Sequence, residues 1–337
     1  MAKGRGLGYT VARMKPRLSI VVPTWNRKDL ALACLASLDA QCFQSAEVLL
    51  VDDASTDGTA EAVGGRFPAA RIVRMAKNGG FARAVNAGIR EAGGDLILLL
   101  NNDMTLAPEF LARLVDTADT SDAAFFAPLV LFQDEVNLVY SAGDAQSVSG
   151  RPESIGFRQR LDTFEHPGTI FGVSAGAALY RREVFDRAGL FDEWFGAYFE
   201  DADLSFRARL VGFRAQFVPG AVAYHIGSAS IAGRTWWRTR QCCRNHLLLV
   251  LRNMPAPLLW RHRGAILRER GHQWRRLLSA ARCEFGLLRS LGLAAGTGLS
   301  IVSALPHALS GRIGIQSGRV ISTEELEALL TSPERSP

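Results

Sequence analysis

Several groups of polar residues stand where apolar runs stop, and their types suit ligand binding and proton transfer. Leu96 to Leu100 form an unbroken aliphatic run, and Asn101, Asn102 and Asp103 follow at once. A strand buried on both faces would thus deliver two amides and a carboxylate to its own tip, where a polar turn is the plainer alternative. The segment "YFEDADLSFR" puts Glu200, Asp201 and Asp203 on the first turn of a helix. A carboxylate there can take a proton from a hydroxyl, or merely cap the helix. His225, in "AYHIGS", follows another short strand and is either a metal ligand or a structural imidazole. Asp52 and Asp53 end the run "EVLLVDD". Only one of two adjacent strand residues can face a ligand, and a turn with a helix N-cap would also explain the pair.

These positions need a scaffold, and the text supplies one. From Leu18, strands at 18–23, 47–53, 71–75 and 95–100 alternate with helices at 29–41, 57–67 and 81–93. Such alternation predicts a parallel sheet with helices on both faces, whose ligands bind at the carboxyl ends of the strands. The four tips read "PTWNR", "DDASTDGT", "KNGGFARAVN" and "NNDM", one polar rim. Further strands are expected at 123–131 and 170–180, with a polar, Gly-containing stretch at 141–169 that reads as a mobile loop. A helix at about 201–211 and two short strands ending near His225 follow. No G-x-G-x-x-G follows the first strand and no G-x-x-x-x-G-K-[ST] occurs, which excludes a dinucleotide-binding dehydrogenase and a P-loop NTPase.

The ordered motifs "VVPTWNR", "VDDASTDGT", "NGGFARAVNAGI", "LLLNNDM", "GLFDEWFGAYFEDADLSFRARLVGF" and "AYHIGSAS" resemble glycosyltransferase family 2, within it the rhamnosyltransferase-like branch, over roughly residues 18–230. The resemblance implies a GT-A fold: an α/β domain with a mostly parallel nucleotide-binding sheet flanked by helices. It also implies an inverting transfer from a nucleotide-sugar. Asp53 would accept the N3–H of uracil or thymine, with Pro23, Thr24, Asn26 and Arg27 beside the base and ribose. Asn78, Gly80, Arg83 and Asn86 would meet the diphosphate near a helix N-terminus. Asn101 and Asn102 would face the sugar or ribose. The family's D-x-D signature reads Asn101-Asn102-Asp103 here, so its first carboxylate is missing; an Asn carbonyl or water can take that place on a hard cation. Asp103 and His225 would hold the divalent cation, Mg2+ or Mn2+. Asp201 would be the general base, with Glu200 beside it orienting the acceptor, and Trp194 would offer a face to a sugar ring or belong to the core. The implied donor is dTDP-rhamnose, or alternatively a UDP-sugar carrying galactofuranose or another hexose. The acceptor would be a glycan or a polyprenyl-diphosphate-linked glycan.

The formal charge of +6 conceals an asymmetry: 15 Arg and no Lys face two Glu between Gly233 and Val320, a local +13. Trp236, Trp237, Trp260 and Trp274 lie in the same region, which reads as an Arg-rich helical extension over 231–320, followed by a polar tail at 321–337. Arginine-edged apolar helices suit a membrane interface or packing on the catalytic domain. The apolar run 291–309 contains Gly, Ser, Thr, Pro and His and reads as buried or interfacial, not spanning. Nucleic-acid binding by this region is not expected, because no reader motif is present and the rest of the chain is acidic. A non-catalytic nucleotide-sugar binder is a third reading, suggested by the incomplete D-x-D. Five cysteines without a Cys-x-x-Cys pair argue against a disulfide framework and a zinc site. The basic N-terminal segment 1–17 has no apolar stretch of a secretory signal, so the expected location is cytoplasmic, peripheral at the inner membrane.

Overall fold

The computed structural model of the 337-residue chain describes residues 15–43, 45–226 and 235–331. The first fourteen residues of the basic N-terminal segment and the end of "AYHIGSAS" lie outside them. The expected boundary at 230/231 does too.

The chain runs β1 (Leu18–Thr24), α1 (Lys28–Asp39), β2 (Ala46–Asp52), α2 (Thr59–Arg66), β3 (Arg71–Arg74), α3 (Phe81–Glu91) and β4 (Leu96–Leu100). β5 (Met104–Leu106), α4 (Phe110–Thr120), β6 (Phe125–Phe132), β7 (Val139–Ser141), β8 (Asp144–Gln146) and β9 (Pro152–Ser154) follow. Then come β10 (Ala177–Arg181), α5 (Arg182–Ala188), α6 (Glu200–Leu210) and β11 (Ala215–His225). The remaining elements are helical: α7 (Thr235–Asn253), α8 (Ala256–Arg261), α9 (Arg263–Phe285), α10 (Leu287–Ser317) and α11 (Thr323–Leu329).

The main sheet has the order β3-β2-β1-β4-β10-β6-β11-β5. Strands β3, β2, β1 and β4 are mutually parallel, whereas β10 runs antiparallel to both β4 and β6. β1 therefore lies between β2 and β4, the point where the strand order reverses and where a ligand crevice opens. Every residue of β1 and β4 is buried, as the unbroken apolar runs predict. Two apolar layers sandwich the sheet, one built on Leu50, Leu98 and Phe110, the other on Val51, Leu99 and Tyr180.

Four expectations are corrected. The strand expected at 170–180 begins only at Ala177, because Phe171 and Gly172 spend their N–H groups on Asp144 O. The stretch 141–169 is ordered, holding the β8–β9 hairpin. The two short strands before His225 are one, β11, with a register shift between Val218 and Val222. Residues 321–331 are no free tail: Leu326 is fully buried, and Thr331 N–H donates to Gln146 O at 2.9 Å. A third apolar cluster explains that docking, since it joins Phe195, Phe199 and Phe206 to Leu248, Leu249, Ala304 and Leu326.

Candidate active site

The polar strand tips brace one another. Asn102 Nδ2 donates to Thr24 Oγ1 (2.8 Å), Asn26 Oδ1 accepts from Thr56 N–H (2.9 Å), and Ser55 Oγ accepts from Asn26 N–H (2.7 Å). Asp53 is buried, and its two oxygens accept the N–H groups of Gly79 and Gly80 at 2.7 and 2.8 Å. A carboxylate offers about four lone-pair sites, so these contacts shape the loop and leave acceptor capacity. Gly80 has φ +80° and precedes α3, a backbone that L side chains rarely adopt. Asn78 is exposed on that loop.

Two residues on α3 expected at the donor, and one beyond it, have protein partners. Asn86 is buried and engages Phe191 with both amide atoms, Nδ2 to O at 2.9 Å and Oδ1 from N–H at 3.0 Å. Both amide atoms thus help hold the chain ahead of α6. Arg83 pairs with Glu193 (2.9 Å) on the same segment. Trp194 stacks on His307, centroids 4.8 Å apart, and does not line the cleft around Asp201.

Asp103 and His225, 122 positions apart, meet because β11 pairs antiparallel with β5, His225 opposite Met104. His225 Nε2 lies 3.4 Å from Asp103 Oδ2, while Asp103 Oδ1 and His225 Nδ1 are buried without a partner. Orphaned buried polar atoms are costly, and a carboxylate beside an imidazole is a donor set for a first-row divalent ion. The residues present thus fit such an ion. Among the described residues no group of three or more His, Cys, Asp or Glu could hold it, so further ligands would be diphosphate and water. Asn101 contributes its backbone, donating N–H to Gly176 O at 2.7 Å.

Asp201 stands at the head of α6. Its Oδ2 accepts from Ala175 N–H (3.4 Å) and its Oδ1 from Ala202 N–H (2.8 Å). Burial raises its pKa above the usual carboxylate range, and those backbone N–H groups restrain the rise. Glu200 is driven well above that range by burial and by Asp201, and its Oε2 has no partner. Asp203, buried beneath, pairs with Arg207 (2.8 Å) and Arg252 (3.3 Å) and is structural. The segment Ser174–Gly176 links Asp201 to the β4 tip: Ala175 N–H donates to Asp201 and Gly176 O accepts from Asn101 N–H.

Asp201 opens onto a cleft of about 920 Å³ lined also by Asp144, Arg151, Tyr198, Arg238 and Arg276. The arginine-rich extension therefore forms one wall of the site. Asn245 on α7 donates to the carbonyls of Phe195, Ala197 and Tyr198 at 2.8–2.9 Å, and Arg244 donates to Trp194 O at 2.6 Å. His246, pushed down to about 4 by burial, is 2.9 Å from Ser149 O on the β8–β9 hairpin. Sequence reasoning missed Asp144, which carries no local signal. It also missed Arg244-Asn245-His246, for which the signal was a polar trio set against the apolar run "LLLVL".

With this geometry established, comparison with known proteins decides the family. The model of "Glycosyl transferase family 2" matches residues 19–189, half of the chain. The chain belongs to glycosyltransferase family 2. A relative described as N-acetylglucosaminyl-diphospho-decaprenol L-rhamnosyltransferase, from Mycobacterium tuberculosis, is 30% identical over 235 residues, covering 62% of this chain and 75% of its own. Among solved structures, the mannosyltransferase PcManGT from Pyrobaculum calidifontis, in complex with GDP-Man and Mn2+, superposes with a TM-score of 0.53 at 21% identity. That match covers 91% of this chain and 86% of the other. GalNAc-T7 with UDP, GalNAc and Mn2+ matches at a TM-score of 0.55 and 16% identity, over 71% of this chain and 48% of its own. The fold is GT-A with a C-terminal helical extension, and this family 2 member is a glycosyltransferase.

Proposed function

We propose that this enzyme transfers L-rhamnose from dTDP-rhamnose, with inversion, to a hydroxyl of a lipid-linked glycan, using a divalent cation and Asp201 as general base. The observation that carries the reading is the Ser174–Gly176 bridge, which links a buried carboxylate at the head of α6 to Asn101, two residues before the Asp103/His225 pair at the sheet tips. The mycobacterial relative supports the sugar and the acceptor class.

In this reading the acceptor oxygen attacks the anomeric carbon and the bond to the diphosphate oxygen breaks, its electron pair leaving with the nucleoside diphosphate. The hydroxyl proton passes to Asp201, where burial makes the carboxylate a better proton acceptor than an exposed one. Asp103 and His225 would hold the cation, which when bound neutralises charge on the departing diphosphate. Asp53 and the 23–27 segment would take the base and ribose, and Gly79 and Gly80 allow close approach of the phosphates. Glu200, whose neutral form is favoured by burial and by the neighbouring Asp201, would orient the acceptor hydroxyl. Asn78, Asn101 and Asn102 complete the donor rim.

Asp201→Asn should lower turnover by about 10²–10⁴-fold. Thermal stabilisation by dTDP-rhamnose with Mn2+ or Mg2+ should survive in that variant, because nucleotide contacts lie elsewhere. Retained turnover would remove Asp201 from the base role. Equal stabilisation by UDP-sugars alone would replace the donor.

A further inference from the structure

Helix α10 carries an apolar face that the protein leaves uncovered. Residues 290–311 contain no Asp, Glu, Lys or Arg, a stretch of 22 residues bracketed by Arg289 and Arg312. At 1.5 Å per residue it is about 33 Å long. Only 22% of its most apolar window is buried. Leu288, Leu291, Leu299, Val302, Leu309 and Ile313 are each more than half exposed, Leu288 at 86% and Ile313 at 74%. With Ala295 and Pro306 between them they recur every three or four residues, so they form one straight stripe along the helix. An exposed apolar surface of this extent, unrelated to the cleft, marks an interaction site.

The opposite face of α10 is packed and hydrogen-bonded against the protein. Ile301, Ala304 and Ala308 are buried. His307 meets Asp192 at 2.7 Å and Arg252 at 3.1 Å, Arg312 donates to Met254 O at 2.7 Å, and Gln316 donates to Asn253 O at 2.7 Å. Spanning a bilayer would break this polar seam and strand buried charges. One side of the helix is thus committed to the protein for most of its length, and the other is free.

We infer that the outer stripe of α10 seats in the headgroup–acyl boundary of a lipid bilayer as a monotopic helix. The occupant is argued from charge as well as apolarity. The surrounding region, 233–320, carries a local +13, which complements an anionic leaflet and would be repelled by a second copy of itself. The inference accords with a lipid-linked acceptor but stands on the helix alone, so it is tested without substrate.

The test is flotation of the purified full chain with vesicles of phosphatidylcholine and phosphatidylglycerol, beside light scattering for oligomeric state. The wild type should float as a lipid-bound monomer, less strongly on phosphatidylcholine alone. The double variant Leu299→Glu/Val302→Glu should lose at least tenfold in partitioning at an unchanged melting temperature. Leu288→Glu, on the open first turn, provides the same readout should the double variant unfold. Absence of wild-type flotation, equal flotation of a folded variant, or a dimer that these substitutions dissociate would each overturn the inference. Because no turnover is measured, failure here leaves the transferase reading standing, and a dead transferase can still float.

Discussion

Asp144 reaches the cleft from β8, a short strand with no chemical signature, and faces the same space as Asp201. Burial, with the Asp201 charge second, raises its carboxyl to about 7, against a hydrogen bond from Ser154 that lowers it. Two carboxyls in one cleft titrate as a pair, each opposing ionisation of the other. The sign follows directly: the native state holds a proton that the unfolded chain releases near pH 4, so stability falls as pH rises from about 4 to about 7. Asp144→Asn should flatten that slope and raise the melting temperature at pH 8 by a few degrees, read from thermal melts across pH. It should also move the acid limb of kcat/KM to lower pH, because Asp201 loses a neighbouring negative charge. An unchanged limb would show that Asp144 does not act on the base. Tyr198 and Phe199, which line the same cleft, both adopt positive φ, as do Asn26, Arg27 and Ala54 at the tips of β1 and β2.

Between elements, the decisive contact is α7 against the loop that launches α6. Tyr198 and Phe199 are left-handed, and Asn245 is a donor to the carbonyls of Ala197 and Tyr198 in that turn. Asn245→Leu keeps the volume and removes the donor, which costs about 1–3 kcal/mol for unsatisfied buried acceptors. Displacement of the Asp201 turn should lower kcat by at least about tenfold with donor binding retained, since small misplacements weaken catalysis steeply. Steady-state kinetics beside nucleotide thermal shift distinguish this outcome from global unfolding. Gly150 shows the same fit on the hairpin side: at φ +87°, an added Cβ would lie 2.2 Å from Val250 Cγ2.

Across the whole molecule the helical extension and the sheet form one structure around a buried charge network. Arg252 on α7 pairs with Asp192 (2.8 Å) ahead of α6 and with Asp203 (3.3 Å) inside it, and contacts His307 on α10. Removing one member of such a network leaves the others charged and desolvated. Arg252→Met should therefore cost about 3–5 kcal/mol. Because the third apolar cluster spans sheet-side and extension residues, denaturant should melt helix and sheet signals together in wild type. Separate transitions followed by circular dichroism and Trp fluorescence would show that the extension is an independent unit.

Local pattern determined much of this protein. Predominantly apolar runs specified β1, β2 and β4, since strands packed on both faces favour aliphatic side chains, and the polar residues gathered at their ends. The ordered motifs placed Asp53 and Asp103 at those ends and Asp201 at the head of α6. Tertiary structure alone decided which side chains remain available to a ligand. Asn86 is an inviting helix amide in the sequence and a clamp on Phe191 in the fold, a partner 105 residues away. His225 meets Asp103 only through the β5–β11 pairing, and Asp144 meets Asp201 only across the cleft. The arginine-rich segment has an unremarkable helical pattern, yet it closes the active site on one side and leaves α10 bare on the other. Helical periodicity identifies an apolar face; long-range packing determines whether protein covers it.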